Sequence, residues 1–243
     1  MHSKEILILI GVIVGSYLLG SIPFGVIVSK YAHRSRIDIQ KTGSGNIGAT
    51  NVGRKLGFGY GALVAGLDAW KGALPVIAVS YFLHYSLWFA GAAWLFAFLG
   101  HLFPVWLRFK GGKGISVCMG GLLGLLGWKT CLIIFGCWTI VFLFFTRRTM
   151  SATNLIVAAG LLIFIFALPA LFYLAPITAL IVFLIWWAHR KNIQRLSKGE
   201  EPSLKLKLPS LLNKLPDDVI SFVIKKLQVF VDKIKQYQNQ RKP

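Results

Sequence analysis

Apolar residues run in long blocks parted by short polar stretches. The blocks near 6–28, 57–83, 86–100, 115–128, 130–146, 155–172 and 176–188 predict seven membrane-spanning helices. A span needs about 20 residues to cross roughly 30 Å of hydrocarbon, and Ile6 to Val28 meets that alone. A cleaved signal peptide is the alternative for this first block. Lys4 and Glu5 make a weak basic head, and no A-x-A site follows, so a retained helix is expected. The 115–128 block is short for a bilayer, and 155–188 could be read as one long tilted helix.

After Glu200 the pattern changes. Val219, Ile220, Val223, Leu227, Phe230, Val231 and Ile234 recur at helical spacing with lysines between them. This predicts a basic amphipathic helix lying on an anionic leaflet, with partner binding as the alternative. Residues 1–201 are therefore expected to form a membrane domain, and 202–243 a basic C-terminal extension. Small residues four apart, Gly11/Gly15, Gly57/Gly61 and Gly120/Gly124, mark candidate close approaches between helices.

Composition agrees with a bilayer as solvent: 56% of residues are hydrophobic and 14% charged, with a mean hydropathy of +0.66. The formal charge of +19 would suggest nucleic acid in a soluble chain. Here its placement argues for the membrane and against nucleic acid. If all seven blocks cross, 24 of the 27 Lys and Arg residues fall on one side: loops 29–55, 101–114 and 147–154, and the tail from His189. The positive-inside rule makes that side cytoplasmic and the N-terminus external. Merging any one pair of blocks would break the asymmetry. Cys118, Cys131 and Cys137 show no metal or redox spacing.

The chemistry gathers in the same loops. Gly43-Ser44-Gly45-Asn46-Ile47-Gly48-Ala49-Thr50-Asn51, followed by Arg54, reads as a phosphate cradle of converging N–H groups leading into a helix N-terminus. No strand precedes it, which excludes a dinucleotide fold. A second loop, His101-Leu102-Phe103-Pro104 to Phe109-Lys110-Gly111-Gly112-Lys113-Gly114, sets a lysine among glycines at a helix start. It lacks the Walker A spacing but suits an oxyanion or phosphate. Arg147-Arg148-Thr149-Met150-Ser151 and His189-Arg190-Lys191-Asn192-Ile193 complete the set, with His189 and Asn192 sharing a helical face. Within the second span, Asp68 and Lys71 are three apart and able to pair, and are read as structural support. The cytoplasmic loops before the tail hold only one acid, Asp38, so clustered-carboxylate metal chemistry is not expected. Reactions built on anion clamps and hydrogen-bond donors remain, which points to acyl transfer.

In this order, GSGNIGATN with Arg54, LDAWKG, GHLFPVWLRFKGGKG, RRTMS and HRKNIQRLSKGEE resemble the bacterial membrane acyl-phosphate:glycerol-3-phosphate acyltransferases over roughly residues 8–201. Ile115-Ser116 departs from the Val-Ala that often follows GGKG in that family, and the tail is longer. The resemblance implies an all-α integral membrane fold of seven helices with cytoplasmic catalytic loops in a bacterial inner membrane. It implies no metal, no cofactor, and neither acyl carrier protein nor acyl-CoA as donor. The partners implied are acyl phosphate, glycerol 3-phosphate and the bilayer; interaction with the enzyme that produces acyl phosphate stays open.

Ser44, Asn51, Lys113 and His189 are then the expected catalytic residues. Gly43, Gly45, Asn46, Thr50, Arg54, Gly111, Gly112, Gly114, Ser151 and Asn192 are expected to bind substrate. In the expected reaction the glycerol hydroxyl attacks the acyl carbonyl, loop amides with Ser44 or Asn51 hold the oxyanion, and either His189 or the donor phosphate takes the proton. His33 and Asp38 carry the H-x4-D spacing of another acyltransferase class, but its companion motifs are absent, and the match is expected to be accidental. The rival functions are an anion transporter, for which no internal repeat is visible, and a noncatalytic lipid-binding scaffold.

Overall fold

The computed structural model describes residues 3–31, 37–83, 86–146 and 149–203. His33, Arg34, Arg36, Arg147, Arg148 and the expected amphipathic helix lie outside the described residues. Within them the regular elements are helices: α1 (Ser3–Gly20), α2 (Phe24–Tyr31), α3 (Ala49–Leu56), α4 (Phe58–Ile77), α5 (Leu87–Leu102), α6 (Ile115–Ile140), α7 (Met150–Ala167), α8 (Ala175–Ala188) and α9 (Arg190–Ser197).

Six helical stretches are long and apolar enough to cross a bilayer, against the seven expected. The difference lies in Ile115–Phe145, which takes in both the 115–128 and the 130–146 blocks. Gly127 breaks this stretch with φ 76 and ψ 171, outside the helical region. Across the break Cys131 Sγ approaches the Met119 carbonyl to 3.9 Å, twelve residues away in sequence. An unbroken helix would separate such positions by about 18 Å. The chain therefore folds back at Gly127 into two arms, 115–126 and 128–145. The 155–188 ambiguity resolves into two helices, with a 3-10 turn at Pro169–Leu174 between them.

Close approach depends on particular glycines. A Cβ on Gly100 of α5 would come within 2.9 Å of Ser21 N, and one on Gly124 of α6 within 2.7 Å of Val76 Cγ1 of α4. Gly120 likewise lies against the Ala69 backbone, so the expected Gly120/Gly124 pair does bring α6 onto α4. Gly61 packs on Gly53, whereas Gly11, Gly15 and Gly57 meet nothing within 4 Å among the described residues. A core of Val76, Trp94, Phe98, Leu122, Ile165 and Ile185 fills the bundle. A smaller cluster of Val28, Ile39, Ile47, Val52 and Val64 supports the first glycine loop from beneath. Large apolar side chains such as Phe144, Ile163 and Phe183 face outward, as a lipid-facing surface requires.

Candidate active site

Three helix N-termini open onto one cavity of about 530 Å³. Gly48, Ala49 and Thr50 bring the start of α3, Gly114, Ile115 and Ser116 that of α6, and Met150 and Ser151 that of α7. The first turn of a helix leaves N–H groups unpaired and carries about half a positive charge. Arg54, Lys113 and Arg195 add full charges to the same wall. Deeper in, Met119, Leu122, Ile134, Phe135, Trp138 and Leu161 make the lining apolar, and the two arms of α6 supply most of it. The cavity thus has an anion-seeking mouth and an apolar interior.

The first glycine loop is held in shape by Asn51, which is buried. Its Nδ2 donates to the carbonyls of Thr42 (2.9 Å), Asn46 (2.9 Å) and Ile39 (3.3 Å), and its Oδ1 accepts the Ser44 N–H (3.1 Å). Gly45 N–H donates to Thr42 O, and Gly48 N–H to Asn46 Oδ1. The N–H groups of residues 44, 45 and 48 are therefore spent inside the loop. Among the cavity-lining residues of this segment, the N–H groups of Asn46, and of Ala49 and Thr50 at the α3 N-terminus, are left for an anion. Gly43 and Gly45 sit at φ 60 and 69 and make the turn without lining the cavity, while Ser44, Asn46, Thr50 and Arg54 do line it.

The second loop reverses through Arg108 and Phe109, both at positive φ (52 and 62), a conformation that costs a non-glycine residue about 1–2 kcal/mol. The reversal lets Gly111 N–H donate to Leu102 O and Gly112 N–H to His101 O, each at 3.1 Å. Those amides are also spent, and Gly111 and Gly112 lie behind the cavity wall. Gly114, at φ 78, lies on it and turns the chain into α6.

Lys113 projects into the mouth, where Nζ donates to Asn192 Oδ1 at 2.5 Å. Asn192 Nδ2 donates to Ser151 Oγ and Glu201 Oε1, both at 2.7 Å, and Ser151 Oγ donates to the same carboxylate oxygen at 2.5 Å. Arg195 Nε donates to Glu201 Oε2 at 2.7 Å, and Arg54 reaches the Pro202 carbonyl at 3.4 Å. Burial pushes the Lys113 ammonium down to about 8; Glu201 pulls it upward, while Arg195 and Arg54 add to the lowering. Burial would raise the Glu201 carboxyl, but hydrogen bonds from Ser151, Arg195 and Asn192 outweigh it and hold the group below the usual range.

His189 is 1% exposed, and its Nδ1 lies 2.8 Å from Ile185 O. A carbonyl only accepts, so the proton is on Nδ1 and the Nε2 lone pair is available. Burial, and then the charge of Lys113, lowers His189 to about 4, against the opposing pull of the Ile185 carbonyl and Glu201.

Glu201, Arg195 and Asn154 also line the cavity and were not among the residues expected from sequence. Arg195 follows Asn192 by three on a helix, the same spacing that had paired His189 with Asn192. Glu201 closes the HRKNIQRLSKGEE motif but was given no role from sequence. Asn154 lies one turn below Ser151 on α7, and its Oδ1 accepts the Trp138 indole N–H at 2.9 Å. Indole only donates, which leaves the Asn154 Nδ2 hydrogens without a partner among the described residues.

Residues 10–199 match the family model described as glycerol-3-phosphate acyltransferase. Among curated relatives, the glycerol-3-phosphate acyltransferase of Mesorhizobium japonicum is 40% identical over 82% of this chain and 97% of its own length. That of Rhodopseudomonas palustris strain HaA2 is 44% identical over 77% of this chain and 91% of its own. Among solved structures, the glycerol 3-phosphate form of PlsY (YgiH), an integral membrane glycerol 3-phosphate acyltransferase, superposes with a TM-score of 0.74 at 35% identity, covering 84% of this chain and 98% of that one. Its lysophosphatidic acid form gives 0.72, covering 81% and 95%. With its motifs, its helical membrane fold and its anion-seeking cavity in agreement, this chain belongs to the glycerol-3-phosphate acyltransferase family, integral membrane proteins of phospholipid synthesis.

Proposed function

We propose that the protein transfers a fatty acyl group from acyl phosphate to the 1-hydroxyl of glycerol 3-phosphate, releasing lysophosphatidate and inorganic phosphate. The observation that carries this reading is the cavity itself: three helix N-termini and three cationic side chains surround its mouth, and an apolar channel continues from it between the α6 arms and α7. Such a site fits two phosphate-bearing substrates, one of which carries a long chain. The PlsY structures in glycerol 3-phosphate and lysophosphatidic acid forms support the same substrate and product here.

Thr50, Arg54, Lys113 and the N-termini of α3 and α6 hold the phosphates. Ser151 and Asn192 aim Lys113, Asn51 and Asn46 shape the first loop, and Gly111 and Gly112 dock the second. The glycerol oxygen attacks the acyl carbon, the bond from that carbon to the phosphate oxygen breaks, and phosphate leaves. Proximity supplies much of the acceleration. With the Asn51 amide committed to its loop, Ser44 Oγ and Asn154 Nδ2, both from cavity-lining residues, serve as side-chain donors to the carbonyl oxygen. An imidazole near 4 is a weak base at neutral pH. The departing phosphate therefore takes the hydroxyl proton, and His189 Nε2 orients that hydroxyl as acceptor. An acyl phosphate is already activated, so the step requires no covalent enzyme intermediate.

The fold-back at Gly127 supports seven segments in the bilayer, with the basic loops and the tail cytoplasmic in a bacterial inner membrane and the N-terminus outside.

The test is purified protein with palmitoyl phosphate and glycerol 3-phosphate, without metal or CoA, following phosphate release. Stoichiometric lysophosphatidate, lost in Lys113→Ala, establishes the reaction. Activity only with an acyl thioester would transfer the donor assignment to that class, and folded protein inert with every donor would favour an anion transporter.

A further inference from the structure

Three ionisable side chains lie buried behind the catalytic mouth with no role in the chemistry above. Lys71 Nζ pairs with Asp68 Oδ1 at 2.8 Å, and the two side chains are 1% and 3% exposed. His101 Nδ1 stands 3.6 Å from the same oxygen, within reach of its charge but beyond hydrogen-bond length. Lys71 Nζ also donates to Ile22 O at 2.7 Å, in the break between α1 and α2, and lies 5.6 Å from the Phe24 ring centroid. Asp68 and His101 both reach the cavity wall.

Holding helices together does not explain this cluster. Ions removed from water cost several kcal/mol each, and well-packed apolar residues hold a core at least as well. The cluster does supply direction. His101 O accepts the Gly112 N–H, and the neighbouring Leu102 O accepts that of Gly111. A Cβ on Gly112 would overlap the imidazole, so this residue rests directly on the ring, one position before Lys113.

We propose that Asp68, Lys71 and His101 are positioning residues: a buried chain of contacts from the Ile22 carbonyl through Lys71, Asp68 and the His101 ring to Gly112 sets where Lys113 meets the substrate phosphate. This rests on Lys113 binding phosphate, as in the proposed function. The device is anchored on the break between α1 and α2 and on α4 and α5, so the phosphate site is fixed by the bundle and not by its loop alone.

The experiment measures KM for glycerol 3-phosphate, kcat, and the alkaline limb of kcat/KM in Asp68→Asn, Lys71→Met and His101→Phe, each checked for a monodisperse fold in detergent. Because single charge removals can fail to fold, the neutral pair Asp68→Leu/Lys71→Met is made as well. Lys113 faces Glu201, Arg195, Arg54 and His189, none of which is altered. The expected result is a KM raised about tenfold or more, corresponding to about 1.4 kcal/mol or more of lost binding, with a smaller fall in kcat. The alkaline limb should rise in both Asp68→Asn and Lys71→Met, as a loosened Lys113 becomes hydrated. Direct charge effects would instead move the limb in opposite directions, and a merely structural cluster would lower the melting temperature and leave KM and the limb in place. Either pattern in a folded variant overturns the proposal. An inactive wild-type protein would refute the functional reading instead.

Discussion

Lys113 and Asn192 lie 79 residues apart in sequence and meet at 2.5 Å, Nζ to Oδ1, inside the cavity mouth. The contact ties the second glycine loop to α9, and Asn192 passes it on to Ser151 and Glu201. Lys113 is thereby aimed by three distant segments.

The two residues should act as a unit. Lys113→Ala and Asn192→Ala are each expected to lower kcat/KM by about 10²-fold or more, and the double variant by little more than the worse single. A double-mutant cycle measures this directly, because residues in one network show coupling energies of about 0.5–3 kcal/mol. Additive losses would mean that Asn192 contacts substrate independently. Lys113→Arg should not restore activity, because a planar guanidinium cannot replace a compact ammonium in this site.

The pH dependence follows from the charge on Lys113. Its lowered value of about 8 means that the cation needed for phosphate is present below pH 8 and is lost as pH rises through it. The kcat/KM profile, which reports the free enzyme, should therefore fall on the alkaline side near pH 8. Bound phosphate favours the ammonium, so the limb in kcat should lie higher. His189, neutral above about 4, should add no limb between pH 5 and 7. A step near pH 6.5 that disappears in His189→Gln would restore the imidazole as general base.

Much of this site was legible in the sequence, because polar residues are scarce in a membrane chain and their clustering is informative. Ser44, Thr50, Arg54, Lys113, Ser151, His189 and Asn192 were all picked out as candidates, and all line one cavity. Division of labour was not legible. Gly45 and Gly48 looked like phosphate donors, yet their N–H groups close their own loop, because the Thr42 carbonyl and the Asn46 carboxamide oxygen land on them. The reversal at Gly127 falls where the sequence reading parts the 115–128 and 130–146 blocks; what was hidden is that one continuous apolar stretch makes it at a single glycine. Glu201 was missed although it closes the HRKNIQRLSKGEE motif, because an acid among basic residues at a compositional boundary does not show where its carboxylate lands.

Asn154 gives a sharp separation of chemistry from phosphate binding. It lines the cavity one turn after Ser151, and its Nδ2 hydrogens have no partner among the described residues. If it donates to the acyl carbonyl, Asn154→Leu should lower kcat by about 10²-fold, the cost of one lost oxyanion donor, and leave KM for glycerol 3-phosphate near its original value. Trp138→Phe frees the carboxamide to rotate and should give a smaller loss of the same kind. A raised KM with kcat intact would place Asn154 outside the reacting centre.

Glu201 links the segment after α9 to the site and should control its stability in acid. Its folded-state ionisation lies below that of an unfolded glutamate, about 4.3, so its stabilising contribution is complete above that pH. The contribution is lost as pH falls through the folded value, because the protonated carboxyl can no longer accept from Ser151, Asn192 and Arg195 together. Glu201→Gln should therefore unfold at a lower temperature than wild type at pH 7, and the two melting temperatures should converge as the pH drops below about 4. A gap that persists in acid would show that shape, and not charge, makes Glu201 matter. At pH 7 the same variant should also lose turnover, since Asn192 and Ser151 would no longer be held where they aim Lys113.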